Sequence, residues 1–349
     1  MLTTEEILKI RELLHEAQNP LFFFDNDTDG LASYLLLRRF INRGKGVVIK
    51  SFPALSSSYA SKLNEFNPDF IFILDKPLIE KEFLDKALEK NIRVVWIDHH
   101  PLQDKDVTKD IYYFNPLFSK ENPTNEPVAY WAYKIAEKKE EAWISLIGCI
   151  GDWFIPDFYN EAAKQYPDIL PQKPKSAPAV LFSSDFGKLI KLLNLALKDK
   201  TTNVMKMLKF LYEINNPKEL MEENEKTKSM YSRYKQISRK YEKIIAKGKN
   251  LGKSRSKLLF FQYSGNLSLS GELANELYYN FPKKMVIVAY IKGEEAKLSI
   301  RGYLDVREIT KNAVEKVGGR SGGHKNACAA MLNANDIEKF KEEVLNQLN

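Results

Sequence analysis

Apolar and polar positions in this chain follow two rhythms. Near the N-terminus Ile7, Ile10 and Leu14 recur at steps of three and four, which predicts an amphipathic helix over residues 3–17. Thr3 stands at its start as N-cap, and Glu6 three residues on completes a capping-box pattern. The pattern then changes to short, unbroken apolar runs that end on acidic residues. Leu21-Phe22-Phe23-Phe24 leads into Asp25-Asn26-Asp27-Thr28-Asp29-Gly30. Phe70-Ile71-Phe72-Ile73-Leu74 leads into Asp75, and Val94-Val95-Trp96-Ile97 leads into Asp98-His99-His100-Pro101. Helical stretches separate them, that from Leu31 to Arg43 being the clearest. Continuous apolar strands alternating with helices predict an α/β fold with a parallel, doubly wound sheet covered on both faces.

Further along, Pro167, Pro171, Pro174 and Pro178 mark a loop over 160–180. Residues 186–249 read as helical. Within them Met230, Tyr234, Ile237, Tyr241 and Ile244 form one apolar stripe. The rest of that helix is basic: Lys226, Lys228, Arg233, Lys235, Arg239, Lys240, Lys243 and Lys247. Gly248 and Gly252 mark a break. Residues 256–349 read as a smaller α/β domain. Strands are expected at 258–263, 285–291 and 296–301, and helices at 271–279, 306–317 and from about Asp336. A glycine-rich loop, Gly318-Gly319-Arg320-Ser321-Gly322-Gly323-His324, lies between them. The expected division is a first domain over 1–185, a helical linker over 186–255 and a second, smaller domain over 256–349.

Composition narrows the class. A chain of 349 residues is long for one core and fits two domains, or three. With 44% hydrophobic and 28% charged residues it reads as soluble and globular. It has no apolar run that would span a bilayer. The acidic N-terminus does not resemble a signal peptide. Two cysteines, Cys149 and Cys328, give no disulfide framework, which points to a reducing cytoplasm. The net charge of +7 favours polyanionic partners, although charge alone is a weak guide.

In open parallel sheets, ligands bind beyond the carboxyl ends of the strands. The three acidic loops sit there and should converge. Gly151-Asp152, closing the apolar segment from Ile144 to Ile150, is a fourth candidate. Asp25, Asp27 and Asp29 alternate, so in an extended segment they point one way. With Asp75, Asp98, His99 and Asp152 they could hold two divalent ions about 3.5–4 Å apart around a bridging carboxylate. Blander readings compete. The aspartate run could be a solvated turn or a calcium loop, although Leu36 stands where a calcium loop needs Glu. Asp98-His99-His100 could be a polar strand end. The scarcity of histidine argues otherwise: of four, His99, His100 and His324 all lie in suspect loops, and only His15 falls in a helix. The basic helix either lines a nucleic-acid groove, with Tyr234 and Tyr241 stacking on bases, or presents a solvated lysine face over packed tyrosines.

In their order these motifs resemble the DHH phosphoesterase superfamily. Asp-x-Asp-x-Asp-Gly comes first, a lone strand-end Asp second, Asp-His-His third, and Gly-Asp fourth. The loop ending Gly-Gly-His resembles the signature of the DHH-associated C-terminal domain. The subfamily resembled is that of RecJ-like exonucleases and nanoRNases, in its archaeal RecJ-like branch. The resemblance implies two Mn²⁺ ions, with Mg²⁺ as the alternative, held by Asp25, Asp27, Asp29, Asp75, His99 and Asp152. Asp75 would bridge. Asp25 stands where many members have His. The resemblance gives His100 the scissile phosphate and Asp98 the orientation of its neighbours. Arg301, Gly322, Gly323 and His324 would grip a terminal phosphate or nucleotide. Ser321 and Ala329 depart from the glycines usual in the family. The activity implied is hydrolysis of phosphodiesters in single-stranded RNA or DNA, or in short oligonucleotides, releasing mononucleotides. A replication or repair protein is a further partner expected of such an enzyme, and no membrane is involved. The alternatives are a phosphoesterase for a small nucleotide (a cyclic dinucleotide or 3′-phosphoadenosine 5′-phosphate) and a non-catalytic replication scaffold. The presence of every expected ligand counts against the scaffold.

Overall fold

The first helix, α1 (Thr4–Glu16), begins where the capping pattern places it. Thr3 Oγ1 accepts the Glu6 N–H at 3.1 Å, and the Glu6 carboxylate accepts the Thr3 N–H at 2.7 Å. The computed structural model describes residues 1–51, 54–102 and 106–348. It comprises two units, Met1–Tyr234 and Lys235–Asn349.

The first unit continues with β1 (Leu21–Asp25), α2 (Thr28–Ile41), β2 (Lys45–Ile49), a short β3 (Ala54–Leu55), α3 (Ser61–Phe66) and β4 (Phe70–Leu74). A short β5 (Leu78–Ile79), α4 (Lys81–Leu88), β6 (Arg93–Ile97) and β7 (Tyr112–Phe114) follow. Then come α5 (Val128–Ala136), α6 (Ala142–Gly151), α7 (Tyr159–Gln165), α8 (Ala177–Ser183), α9 (Asp185–Leu197) and α10 (Thr201–Leu211). The main sheet has the order β2-β1-β4-β6-β7, and all its pairs are parallel. The sequence expectation of a doubly wound sheet is met. Successive strand residues point to opposite faces. Phe22, Phe24, Phe72, Leu74, Val95 and Ile97 enter the core that α1, α2, α5 and α6 share. Phe23, Ile71, Ile73, Val94 and Trp96 enter a second core with Leu63 of α3 and Phe83 and Leu84 of α4. The strand order reverses between β1 and β4, which opens a crevice at their carboxyl ends.

Several expectations need correcting. Residues 160–180 are not all loop, since α7 and α8 lie there. Pro178 falls in the first turn of α8, where its missing N–H costs nothing. The apolar segment before Asp152, left unassigned by its pattern, is a helix, α6. Helices α9 and α10 pack within the first unit. Leu189, Leu193, Met207 and Leu208 join the core of the first unit. The basic helix, α11 (Lys228–Gly252), runs through Gly248 and stops at Gly252. Met230, Ile237, Tyr241 and Ile245 are its buried apolar side chains, whereas Tyr234 and Ile244 are only half-buried. A strict four-three spacing drifts against a 3.6-residue turn, so Ile245 takes the last place in the stripe.

The second unit adds β8 (Leu258–Ser264), α12 (Ser270–Asn280), β9 (Met285–Lys292), β10 (Glu295–Arg301) and α13 (Val306–Val317). It ends with β11 (Arg320–His324), β12 (Ala327–Asn333) and α14 (Ile337–Leu348). The sheet order is β11-β12-β10-β9-β8, with only the β8–β9 pair parallel. Ile287, Leu298, Ile300, Val314, Phe340 and Val344 form its core. The expected glycine-rich loop is mostly strand β11, at the sheet edge. Gly323 has φ +132°, and a Cβ there would meet the Ala327 carbonyl at 2.6 Å, so only glycine lets the strand close against β12.

Candidate active site

Each acidic loop is shaped by the element that follows its strand. Asp27 caps α2, its Oδ1 accepting the Gly30 N–H at 3.0 Å. Asp29 lies in the first turn of α2 and is fully buried. Its two carboxylate oxygens accept the N–H groups of Val128 and Ala129, each at 2.8 Å. Those donors open α5, where the helix dipole favours a negative charge. After β4 the chain turns left-handed at Asp75 (φ 56°), with its N–H donating to Ile97 O at 3.0 Å.

The Asp98-His99-His100 turn follows β6. Asp98 Oδ1 lies 2.8 Å from His100 Nδ1, and Oδ2 accepts the His100 N–H at 3.1 Å. Asn115 holds the same turn by donating to His100 O at 2.8 Å. His99 turns the other way. Its Nε2 lies 3.4 Å from both Asp75 Oδ1 and Asp152 Oδ2. Asp152 ends α6, and α6 comes close because Gly148 has no side chain. A Cβ there would sit 2.5 Å from Ala129 Cβ and 2.9 Å from Asp29 Oδ1.

The eight site residues expected in the first unit therefore come together at the crevice. Their ligand atoms fall into overlapping groups, each within 4.8 Å: Asp29, His99 and Asp152; Asp25, Asp27 and Asp75; Asp75, Asp98 and His100. Burial raises the pKa of Asp27, and the charge of Asp25 adds to it. Burial pushes Asp29 well up, aided by Asp152 and Asp27. Asp75 is pushed well up by burial and then by the charges of Asp27, Asp29, Asp152 and Asp25. For His100, burial opposes the charged form, but the Asp98 carboxylate outweighs it and the net shift is upward. Asp75 Oδ1 is buried and, among the described residues, accepts no hydrogen bond, His99 Nε2 lying 3.4 Å away. Crowded carboxylates, an unsatisfied buried oxygen and an adjacent imidazole form a donor set that suits a divalent cation such as Mn²⁺.

One residue of the site went unread in the sequence. Lys76 is buried (1% exposed), and its ammonium lies 2.8 Å from Asp25 Oδ1 and 3.0 Å from Ser51 O. Its backbone carbonyl accepts the Trp96 Nε1–H at 2.9 Å. The available signal was its position directly after a strand-end aspartate.

In the second unit the register sets Arg301 and His324 level with each other. Both pair with Ala327, one from β10 and one from β11. Gly322 and Gly323 pair with Ala329 and Cys328. Asn275 Oδ1 accepts from Arg301 Nε at 2.6 Å and steers the guanidinium.

Comparison with known proteins agrees with these observations. Residues 21–149 match the model of the DHH family, N-terminal domain, and residues 257–349 match that of the DHHA1 domain. Together the matches cover more than half of the chain. No curated protein matches the sequence. The structure of RecJ in complex with Mn²⁺ from Thermus thermophilus is similar at a TM-score of 0.72 and 16% identity, over 99% of this chain and 55% of that one. The chain thus spans about half the length of that protein. An exonuclease RecJ bound to manganese is similar at 0.65 and 16%, over 99% and 95% of the two chains. The DHH domain of a member of a family of ribosomal proteins is similar at 0.72 and 16%, over 99% and 90%. The fold and the residues gathered at its crevice are those of a DHH-type domain. The chain belongs to the DHH family and carries a DHHA1 domain at its C-terminal end. Within that family its fold is RecJ-like.

Proposed function

We propose that this chain is a metal-dependent phosphodiesterase that cleaves single-stranded nucleic acid or short oligonucleotides and releases mononucleotides in the cytoplasm. The observation that carries the reading is the gathering of six aspartates and two histidines at the crevice of the sheet. Asp25, Asp27, Asp29, Asp75, His99 and Asp152 would hold two Mn²⁺ ions, with Asp75 shared between them. Such ions activate water and neutralise charge developing on the phosphoryl oxygens.

The chain's own residues supply the rest. Asp98 fixes the His100 ring through Nδ1, which leaves Nε2 to face a phosphate oxygen. Arg301, Gly322, Gly323 and His324 are assigned to the terminal phosphate or nucleotide, where guanidinium, imidazole and backbone N–H groups all suit an anion. The basic face of α11 and the net charge of +7 favour a polyanionic strand over a single nucleotide.

The test is digestion of end-labelled RNA and DNA of graded lengths, beside a cyclic dinucleotide and 3′-phosphoadenosine 5′-phosphate. Turnover on the strands should stop on chelation and return with Mn²⁺ more fully than with Ca²⁺. Full activity in excess chelator overturns the metal reading. Turnover confined to the small nucleotides moves the assignment to the alternative substrate class.

A further inference from the structure

The ligand groups at the crevice are not equivalent. Asp29, His99 and Asp152 make up one set, and Asp25, Asp27 and Asp75 make up the other. In the second set Asp25 is already engaged, with one oxygen 2.8 Å from the Lys76 ammonium. The lysine is held there. It is buried at 1% exposure, donates also to Ser51 O, and directly follows Asp75, which sits in a left-handed conformation. A buried cation at this point has two effects. It offsets part of the repulsion among the carboxylates. It also competes with any second cation for Asp25 and repels it through a medium of low effective dielectric.

We propose that Lys76 is a built-in counter-ion that makes the two ion positions unequal. The Asp29–His99–Asp152 group fills first and tightly. The Asp25–Asp27–Asp75 group fills second and weakly, because the incoming ion must share Asp25 with Lys76. Occupancy of the second position then follows the free divalent-ion concentration, and the centre responds to that supply. This inference rests on the two-ion reading given above.

Calorimetric titration with Mn²⁺, paired with electron paramagnetic resonance of the bound ion, tests it on the full chain. The wild type should show one tight and one weak class. Lys76→Gln keeps two N–H donors for Asp25 and Ser51 but removes the charge. It should tighten the weak class by at least about tenfold and leave the tight class unchanged. A lysine that served only to hold the fold would give the opposite result, since its loss would weaken binding. The thermal midpoint is a second readout. Without ions Lys76→Gln should unfold at a lower temperature than the wild type, and Mn²⁺ should raise its midpoint by more. If Lys76→Gln does not fold without ions, Lys76→Met refolded in Mn²⁺ takes its place in the titration by back-extraction. A weak class unchanged or weakened by either variant overturns the inference, as do two equal classes in the wild type. Absence of any bound Mn²⁺ in the wild type instead overturns the metal reading beneath it.

Discussion

His99 and His100 are neighbours in sequence, yet they face different partners. His99 lies between Asp75 and Asp152, each 3.4 Å from its Nε2, while His100 is tied through Nδ1 to Asp98 at 2.8 Å. Their removal should therefore have different consequences. His99→Ala should lose an ion. His100→Ala should keep both ions and lose turnover by about 10²-fold, the scale expected when a group that stabilises developing charge is removed. Metal analysis of the two purified variants, beside their turnover, distinguishes these outcomes, and ion loss in His100→Ala would reverse the assignment. Asp75 needs a more careful substitution. Its φ of 56° is a conformation that asparagine tolerates well. Asp75→Asn thus keeps the turn and removes only the charge, and it should weaken both ions and abolish turnover. At this scale the sequence was informative about the acids and silent about their counter-charge. An aspartate at the end of an apolar strand has a known place at a sheet edge, so Asp25, Asp75 and Asp98 could be placed. A lysine beside such an aspartate ordinarily points to water. Nothing local shows that Lys76 is folded inward under Ser51.

Helix α6 shows what an element contributes that its motif does not. Gly148 lets it approach α5 and the buried Asp29 at once. Gly148→Ala should destabilise the chain by about 1–3 kcal/mol, the range for overpacking a tight contact. Because the added methyl would also crowd Asp29 Oδ1, the variant should bind Mn²⁺ less well even where it is folded. Thermal unfolding and ion content, measured together, separate the two effects; unchanged ion affinity in a destabilised variant would show that α5 yields instead of Asp29. The strands and most helices were legible because their periods are distinct. Elements failed where one residue type serves two purposes. Prolines over 160–180 read as loop, yet Pro178 starts α8. Glycines at 318–323 read as loop, yet Gly322 and Gly323 lie in an edge strand that needs their narrow backbone. Asp152 was placed from its motif alone, and the apolar segment before it, which the pattern left unassigned, is a helix.

At the scale of the molecule, the order β2-β1-β4-β6-β7 has a consequence for how the centre comes into being. Its side chains are drawn from loops between Asp25 and Asp152, and none of the ligand sets comes from a single loop. Contacts between segments so far apart in sequence form late, because each loop must be closed before it is rewarded. The full cluster cannot serve as a folding template: Asp25, Asp27 and Asp75 meet once β1 and β4 pair, but both proposed ion positions are complete only when β6 and α6 are also in register. Ions that bind only the finished structure stabilise it without lowering the barrier to reach it. Saturating Mn²⁺ should therefore slow unfolding in stopped-flow experiments and leave the refolding rate in dilute denaturant unchanged. Refolding that accelerates with Mn²⁺ concentration would mean that the loops meet before the sheet is complete.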